Sequence, residues 1–213
     1  MSNYTKIDQN IWPRALHCQV FKRQQIPCYT VGFELDITDF QPWVKAHNYS
    51  FTLAMMHVVS RCANQLENFR YRFLNDDVVL YDQCSINFVW LNQETELFKF
   101  INFPYLENIN SFISGARHAA ETQTAYFIAP PANEAFVFSP LPWVSYTEKT
   151  HTFSGNPEQA SPIFDWGKFF PRSQRLILPF SVQVHHSFVD GIHIGKLAAS
   201  LQANLSNPEI ILP

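Results

Sequence analysis

The sequence predicts an α+β fold, a two-layer sandwich in which helices pack on a mostly antiparallel or mixed sheet. Three observations carry that expectation. Segments with helical apolar spacing are interspersed among short runs rich in β-branched and aromatic residues. Of the 213 residues, 46% are hydrophobic and only 15% charged, which favours collapse and argues against disorder. No internal repeat and no Gly/Ser/Pro-rich linker divides the chain, so one domain over residues 1–213 is expected. At this length roughly 70% of the unfolded surface can be buried, enough for a core without metal or disulfide staples.

Residues 28–37 (CYTVGFELDI) alternate in character and read as a strand, after which Thr38 or Asp39 caps a short helix reaching about His47. Ser50 is a good N-cap for FTLAMMHVVSRCANQL, where Leu53, Met56, Val59, Ala63 and Leu66 recur at helical spacing. Strands follow near 70–74, 77–82 and 86–92, with NDD at 75–77 as a hairpin turn. Asn110 to about Thr122 reads as another helix. The stretch 123–171 is loop-rich and holds two short predicted strands, 136–139 and 143–147. LILPFSVQVHH (176–186) is apolar enough to be a fully buried strand. The last helix, 191–205, puts Ile194, Leu197, Ala198 and Leu201 on one face.

Composition removes several function classes. The net charge of −3 supplies no basic field, so nucleic-acid binding is disfavoured. There are only six glycines and no GxGxxG or GxxxxGK[ST], which excludes the glycine loops that cradle nucleotide phosphates. The start, MSNYTKIDQN, has neither a basic nor an apolar signal region, and no run of about 18 apolar residues would span a bilayer. Four cysteines without a CxxC pair read as free thiols of a reducing cytoplasm. Low charge also suggests that another subunit or a partner covers part of the surface. The 20 Phe, 8 Tyr and 5 Trp form either an aromatic core or the walls of a pocket for a flat, partly apolar ligand.

The string HHSFVDG, His185 to Gly191, carries the chemistry. A buried strand delivers two adjacent histidines into a turn, and only one of them can face a given cleft. Structural histidines are the ordinary explanation of such a pair. Against it stand the rigid apolar strand before them, Asp190 close enough to order the turn, and the helix start at Gly191. Histidine is the natural base near neutral pH, able to deprotonate a hydroxyl as it attacks a thioester. Without GxSxG, a serine-nucleophile hydrolase is disfavoured. His186, Asp190 and His193 match no standard zinc spacing, so no metal is expected.

At these residues the chain resembles the trimeric chloramphenicol acetyltransferases, whose hallmark is HHxxxDG. The likeness starts at NYTKID and WPR, passes through FELDIT, QETELF, SPLPWVSYT and PIFDWGKF, and ends at LPFSVQVHHSFVDGIHIGKL. It thus covers nearly the whole chain in family order, and its length selects the small trimeric enzymes over larger HHxxxDG acyltransferases. The resemblance implies the family's fold, acetyl-CoA as co-substrate, and a cytoplasmic homotrimer whose active sites lie in tunnels at subunit interfaces. His186 would be the general base that takes the acceptor's proton. Asp190, paired with Arg14, would order the turn without touching substrate. Ser139 would stabilise the oxyanion of the tetrahedral intermediate. Phe21, Cys28, Phe98, Phe127 and Asp165 are implied on the acceptor side, with ordinary core as the other reading for Cys28, Phe98 and Phe127. Trp143 and Lys168 are implied on the coenzyme side.

Departures bear on acceptor choice. Phe21 stands where the family commonly has tyrosine, and Asp165 where it usually has threonine. The family's KFYP is here SFTL, Ser50 to Leu53, and THTFSGNPEQA (150–160) leaves the family pattern beside the acceptor pocket. The expected activity is O-acetylation of chloramphenicol, an antibiotic inactivation. The alternatives are the same transfer to another hydroxylated small molecule, or a trimer that binds ligand without catalysis.

Overall fold

The structure, a computed structural model, describes residues 3–127, 132–152 and 154–212. Two sheets organise it. A small antiparallel sheet holds β1 (Tyr4–Lys6), β4 (Asp77–Tyr81) and β3 (Tyr71–Leu74) in that order. The large one runs β2 (Cys28–Asp36), β10 (Arg175–His185), β8 (Ile163–Trp166), β7 (Phe136–Phe138), β5 (Ile86–Leu91), β6 (Phe98–Phe103), with β9 (Phe170–Arg172) paired to β10. It is mixed, because β7 lies parallel to both β5 and β8 while the other pairs are antiparallel.

Local chemistry explains the elements. Between β3 and β4, Asn75 and Asp76 both take positive φ, 50° and 68°, as a two-residue hairpin turn requires and as Asn and Asp tolerate. Helix α3 (Phe51–Asn64) starts on the Ser50 hydroxyl, which accepts from the Leu53 N–H at 3.5 Å. It buries nearly every side chain from Leu53 to Ala63, far more than the single stripe its spacing predicts. A helix apolar all round belongs in the middle of a core. The Asn108 side chain caps α4 (Ile109–Thr122) through Ser111 N–H at 3.0 Å, a bond of the kind worth ~1 kcal/mol. The short α2 (Phe40–Ala46) follows Asp39, but no side chain caps it; Asp36 instead holds the Thr38 N–H and hydroxyl.

Three differences from the sequence reading have physical causes. Helix α1 (Ala15–Lys22) is amphipathic in reverse, with Leu16 and Val20 exposed, so its apolar stripe gave no inward face to read. Strand β6 is half exposed at the sheet edge and begins beside a polar turn at Asn92–Leu97. The predicted strand 143–147 is not one; Pro140 and Pro142 interrupt the ladder after a single bridge, Leu141 to Gly167.

The long β10 divides the molecule. On one face Phe180, Val182 and Val184 join the core with α3, α4 and α5 (Gly191–Ser206). On the other, Ser181, Gln183 and His185 meet a strap whose described residues are 140–152 and 154–160. Tyr146 Oη and Ser181 Oγ share a hydrogen bond of 3.0 Å, and His185 Nε2 donates to Pro157 O at 2.8 Å. Gly167 is needed for this approach, since a Cβ there would lie 2.7 Å from Val144 O.

Candidate active site

The turn after β10 is held by side chains from three directions. Its N–H at His186 donates to Pro27 O at 2.9 Å. Its four successive carbonyls are each met by a side-chain donor. Arg14 takes His186 O (3.0 Å) and Ser187 O (2.7 Å), Asn68 takes Phe188 O (2.8 Å), and Tyr29 takes Val189 O (3.2 Å). The Ser187 hydroxyl donates to Cys18 O at 2.8 Å. A turn with so few unpaired groups has little freedom to reorient the ring it carries.

Helix α1, with its N-cap, supplies three of these supports from one face, at spacings of four and seven. Arg14 grips the Asp190 carboxylate with both terminal nitrogens, at 2.5 and 2.6 Å; Cys18 offers its carbonyl; Phe21 stacks on His186 at 3.7 Å between centroids and 8° between planes. Tyr29 touches the same imidazole at 4.7 Å. The Arg14 guanidinium holds the Asp190 carboxyl below the usual carboxylate range. The N–H of Asp190, at the start of α5, donates to His193 Nδ1 at 2.9 Å; burial pulls that imidazole's pKa down.

The two motif histidines separate as alternation requires. His185 is buried, its Nε2–H on Pro157 O and its Nδ1 accepting from Ser187 N–H at 3.1 Å. Both nitrogens are used in the neutral form, and burial lowers its pKa to about 4. His186 lies in the turn with its side chain 36% exposed. Its Nδ1 is inside, 3.1 Å from Asp190 Oδ1 but out of line for a hydrogen bond. A proton on Nδ1 is favoured by that carboxylate, which leaves the Nε2 lone pair as the basic position.

The two partners of the Arg14–Asp190 pair are unequally enclosed. The Arg14 side chain is 13% exposed but that of Asp190 is 33%, and the carboxylate faces both Arg14 and His186.

Ser139 is elsewhere in the same chain. It follows β7 and donates its N–H to Phe164 O at 3.2 Å, level with Asp165 on β8 and Ser181 on β10. His185 is four residues beyond Ser181, ~13 Å along the sheet, so one chain does not bring Ser139 to His186. Asp165, expected on the acceptor side, is 1% exposed and is met by two donors, Lys149 Nζ at 2.5 Å and His151 Nε2 at 2.5 Å. Lys149 Nζ also donates to Ser139 O at 2.6 Å.

The remaining residues fall into separate groups. Cys28 lines a cavity of about 280 Å³ beneath the strap, with Tyr29, Thr30, Lys149, His151 and Ser181. Burial pushes the Cys28 thiol up to about 11, which makes it a wall and not a nucleophile. Phe98 and Phe127 meet edge to face at 6.0 Å but are 44% and 64% exposed at the β6 edge, so neither is ordinary core. Trp143 and Lys168 are exposed and adjacent, since Lys168 N–H donates to Val144 O at 2.9 Å. Among the described residues no group of three His, Cys, Asp or Glu could hold a metal, and no helix is long and apolar enough to cross a membrane.

Sequence reasoning missed Asn68, Tyr29, Lys149 and His151. The last two lie in or beside the stretch 150–160 that departs from the family pattern, but only the structure places Asp165 on a strand flanked by two others, where its buried carboxylate needs donors. The departing stretch 150–160 and its neighbour Lys149 were the place to look.

Comparisons with known proteins fit this geometry. The profile of the family described as chloramphenicol acetyltransferase matches residues 2–202. Chloramphenicol acetyltransferase 2 of Haemophilus influenzae is 35% identical over 211 residues, 96% of this chain and 98% of the relative. Chloramphenicol acetyltransferase 2 of Escherichia coli is 32% identical, with 96% and 98% covered. A solved chloramphenicol acetyltransferase superposes with a TM-score of 0.85 at 26% identity, covering 95% of this chain and 100% of the other. The cubic core of the pyruvate dehydrogenase multienzyme complex, at 17% identity and a TM-score of 0.64, shares the fold alone. With the profile match spanning both HHxxxDG and the Arg14 segment, the chain belongs to the chloramphenicol acetyltransferase family.

Proposed function

We propose that this protein transfers the acetyl group of acetyl-CoA to a hydroxyl of chloramphenicol, directly and without an acyl-enzyme. The observation that carries the reading is His186: a half-exposed imidazole locked by Phe21 and the Arg14-held turn, with Nδ1 toward Asp190 and Nε2 free to act. Nε2 takes the proton of the acceptor hydroxyl as that oxygen bonds to the thioester carbonyl carbon. The tetrahedral intermediate places its negative charge on the former carbonyl oxygen, to which the Ser139 hydroxyl donates. Such a donor supplies ~3 kcal/mol of transition-state stabilisation. Collapse breaks the C–S bond, and the imidazolium returns its proton to the departing coenzyme A thiolate. Proton and electron pair balance without an external base.

The reading includes a cytoplasmic homotrimer, and separation of the residues within one chain supports it. His186 and Ser139 serve one reaction only if a second copy carries its Ser139 to the first copy's turn. Exposed apolar side chains that such a contact would cover are Leu16 and Val20 on α1, and Leu97, Phe98 and Phe127 at the β6 edge. In the assembly Phe21, Cys28, Phe98 and Phe127 wall the acceptor, and the exposed Trp143 and Lys168 meet the coenzyme. Four free thiols suit a reducing compartment.

Asp165 bears on the alternative acceptors. Its carboxylate is enclosed by Lys149 and His151, so it puts no bare charge into the pocket and gives no reason to discard an uncharged acceptor. The test is purified protein with acetyl-CoA and chloramphenicol, with release of coenzyme A thiol followed against time. Thiol release that needs chloramphenicol supports the assignment. Release with other hydroxylated compounds alone redirects it to them, and binding without release makes the protein a sequestering one.

A further inference from the structure

A peptide that presents a catalytic hydroxyl has to be held on both sides, and on the β8 side the sheet holds Ser139. Its N–H is bonded to Phe164 O, but the next residue, Pro140, has no N–H to continue the ladder. The Ser139 carbonyl has one partner among the described residues, the Lys149 ammonium at 2.6 Å. Lys149 returns over the sheet after a nine-residue loop and is itself fixed at 2.5 Å by Asp165 Oδ1, directly beside Ser139 in register. The other oxygen, Oδ2, is held by His151 Nε2 at 2.5 Å. Asp165 is 1% exposed, and the side chains of Lys149 and His151 are 13% and 14% exposed, so water competes little for these bonds.

We propose that Lys149, braced by Asp165 and His151, is a positioning residue that fixes the Ser139 peptide and thereby aims its hydroxyl at the oxyanion. The proposal rests on the reading of Ser139 given above. With both its N–H and its carbonyl tied, Ser139 keeps only its side-chain torsion free. Oxyanion donors act within a few tenths of an ångström, and a misplacement of about 1 Å costs on the order of 10²-fold in rate. The three residues form a unit that the sequence also hints at. Both donors to Asp165, Lys149 and His151, come from one short stretch of the chain, two residues apart.

The experiment is a double-mutant cycle on the intact enzyme with the thiol-release assay. Lys149→Met alone would orphan a buried carboxylate, so the test variant is Lys149→Met with Asp165→Asn, which removes both charges; circular dichroism and melting temperature check its fold. The expected result is a fall in kcat of about 10–100-fold with KM changed by less than about threefold, because the lost contact acts in the transition state. Adding this pair to Ser139→Ala is expected to cost nothing further. A normal kcat in the pair, with Ser139→Ala impaired, overturns the positioning role and leaves Ser139 intact as oxyanion donor. Losses that multiply overturn it too, since the groups then act independently. A normal rate in Ser139→Ala overturns the underlying reading of Ser139 itself. If the pair does not fold, Lys149→Arg, which keeps the charge but changes the reach, takes its place with the same expected split between kcat and KM.

Discussion

Two carboxylates, Asp190 and Asp165, each anchor a histidine and a cation, yet they sit in opposite environments. Asp190 is at a helix start, a third exposed, clasped by Arg14 and facing the His186 ring. Asp165 is in the middle of β8, closed off by Lys149 and His151. Both hold a charge where it is needed, but the first leaves its imidazole open to a substrate and the second uses its imidazole as a lid. The difference teaches which of the two can do proton chemistry. The general base proposed above needs one nitrogen open to ligand, and His186 Nε2 has no partner among the described residues, whereas His151 spends its Nε2 on the carboxylate. Burial differs to match: on the proposed reading the enclosed cluster is expected to matter most for stability and the open one for turnover.

That contrast predicts a separation of effects, and the largest is in rate. His186→Ala is expected to lower kcat by ~10²–10⁴-fold, the range for a general base, while the melting temperature stays near that of the parent. The ring is partly exposed and its backbone bonds to Pro27 and Arg14 do not need the side chain. Thiol-release kinetics beside a thermal melt make the check. Near-parental turnover would end the case for His186, and a large loss in His185→Ala with His186→Ala unaffected would move the base by one residue.

The mirror image is expected at the other cluster. Asp165→Ala leaves Lys149 as a buried cation with only the Ser139 carbonyl to answer it. Removing one partner of a buried pair typically costs ~3–5 kcal/mol, so denaturant unfolding should show that loss. A loss under about 1 kcal/mol would mean the cluster opens to water and carries no more than a surface pair.

These two sites were not equally legible in the sequence. HHxxxDG and WPR marked the His186 turn through the resemblance to the family, and the Arg14–Asp190 bond that the resemblance implied is present. The long strand 176–186, the helix of 51–64 and the hairpin at Asn75–Asp76 were legible for a different reason, since each is one local pattern with one dominant environment. Asp165 was visible as a departure, but its partners were not, because burial of a strand residue depends on which strands flank it. Nothing local says that β7 lies parallel to β8 or that the strap folds back over Ser181. Helix α1 was hidden by its purpose. Its inward face carries Arg14, Cys18 and Phe21 toward the turn, and its apolar Leu16 and Val20 face outward.

A third prediction separates the two motif histidines by pH. The folded pKa of His185 lies near 4, well under the 6.5 of an unfolded chain, because burial disfavours its cation. Between those values the unfolded state binds the proton and the folded state does not, so stability falls as the pH drops from 6.5 toward 4 and rises in the reverse direction. A change from 6.5 to about 4 corresponds to roughly 3 kcal/mol. His57 and His193 are shifted the same way by burial and add to the slope. Chemical denaturation across this range should therefore lose part of its slope in His185→Gln, which cannot titrate. An unchanged slope would mean that His185 is solvated in the protein.

The smallest effect, and the one that most sharpens the comparison, is expected from Asp190→Asn. Arg14 keeps two backbone acceptors, Ser187 O and His186 O, when the carboxylate charge is removed. The site is also a third open to water, so the stability loss should fall below the ~3–5 kcal/mol of an enclosed pair. The rate should fall as well, since His186 Nδ1 loses the negative charge that favours its proton, and with it the bias that leaves Nε2 basic. Stability and activity are thus expected to decline together, each by less than the corresponding extreme at Asp165 or His186. An unchanged melting temperature with a large loss of kcat would make Asp190 chiefly the imidazole's orienting partner. A lowered melting temperature with full activity would make the 3.1 Å approach to His186 incidental and leave Asp190 as the anchor of Arg14 alone. The structure favours neither extreme, because one carboxylate oxygen, Oδ1, is shared between the Arg14 guanidinium and the His186 ring.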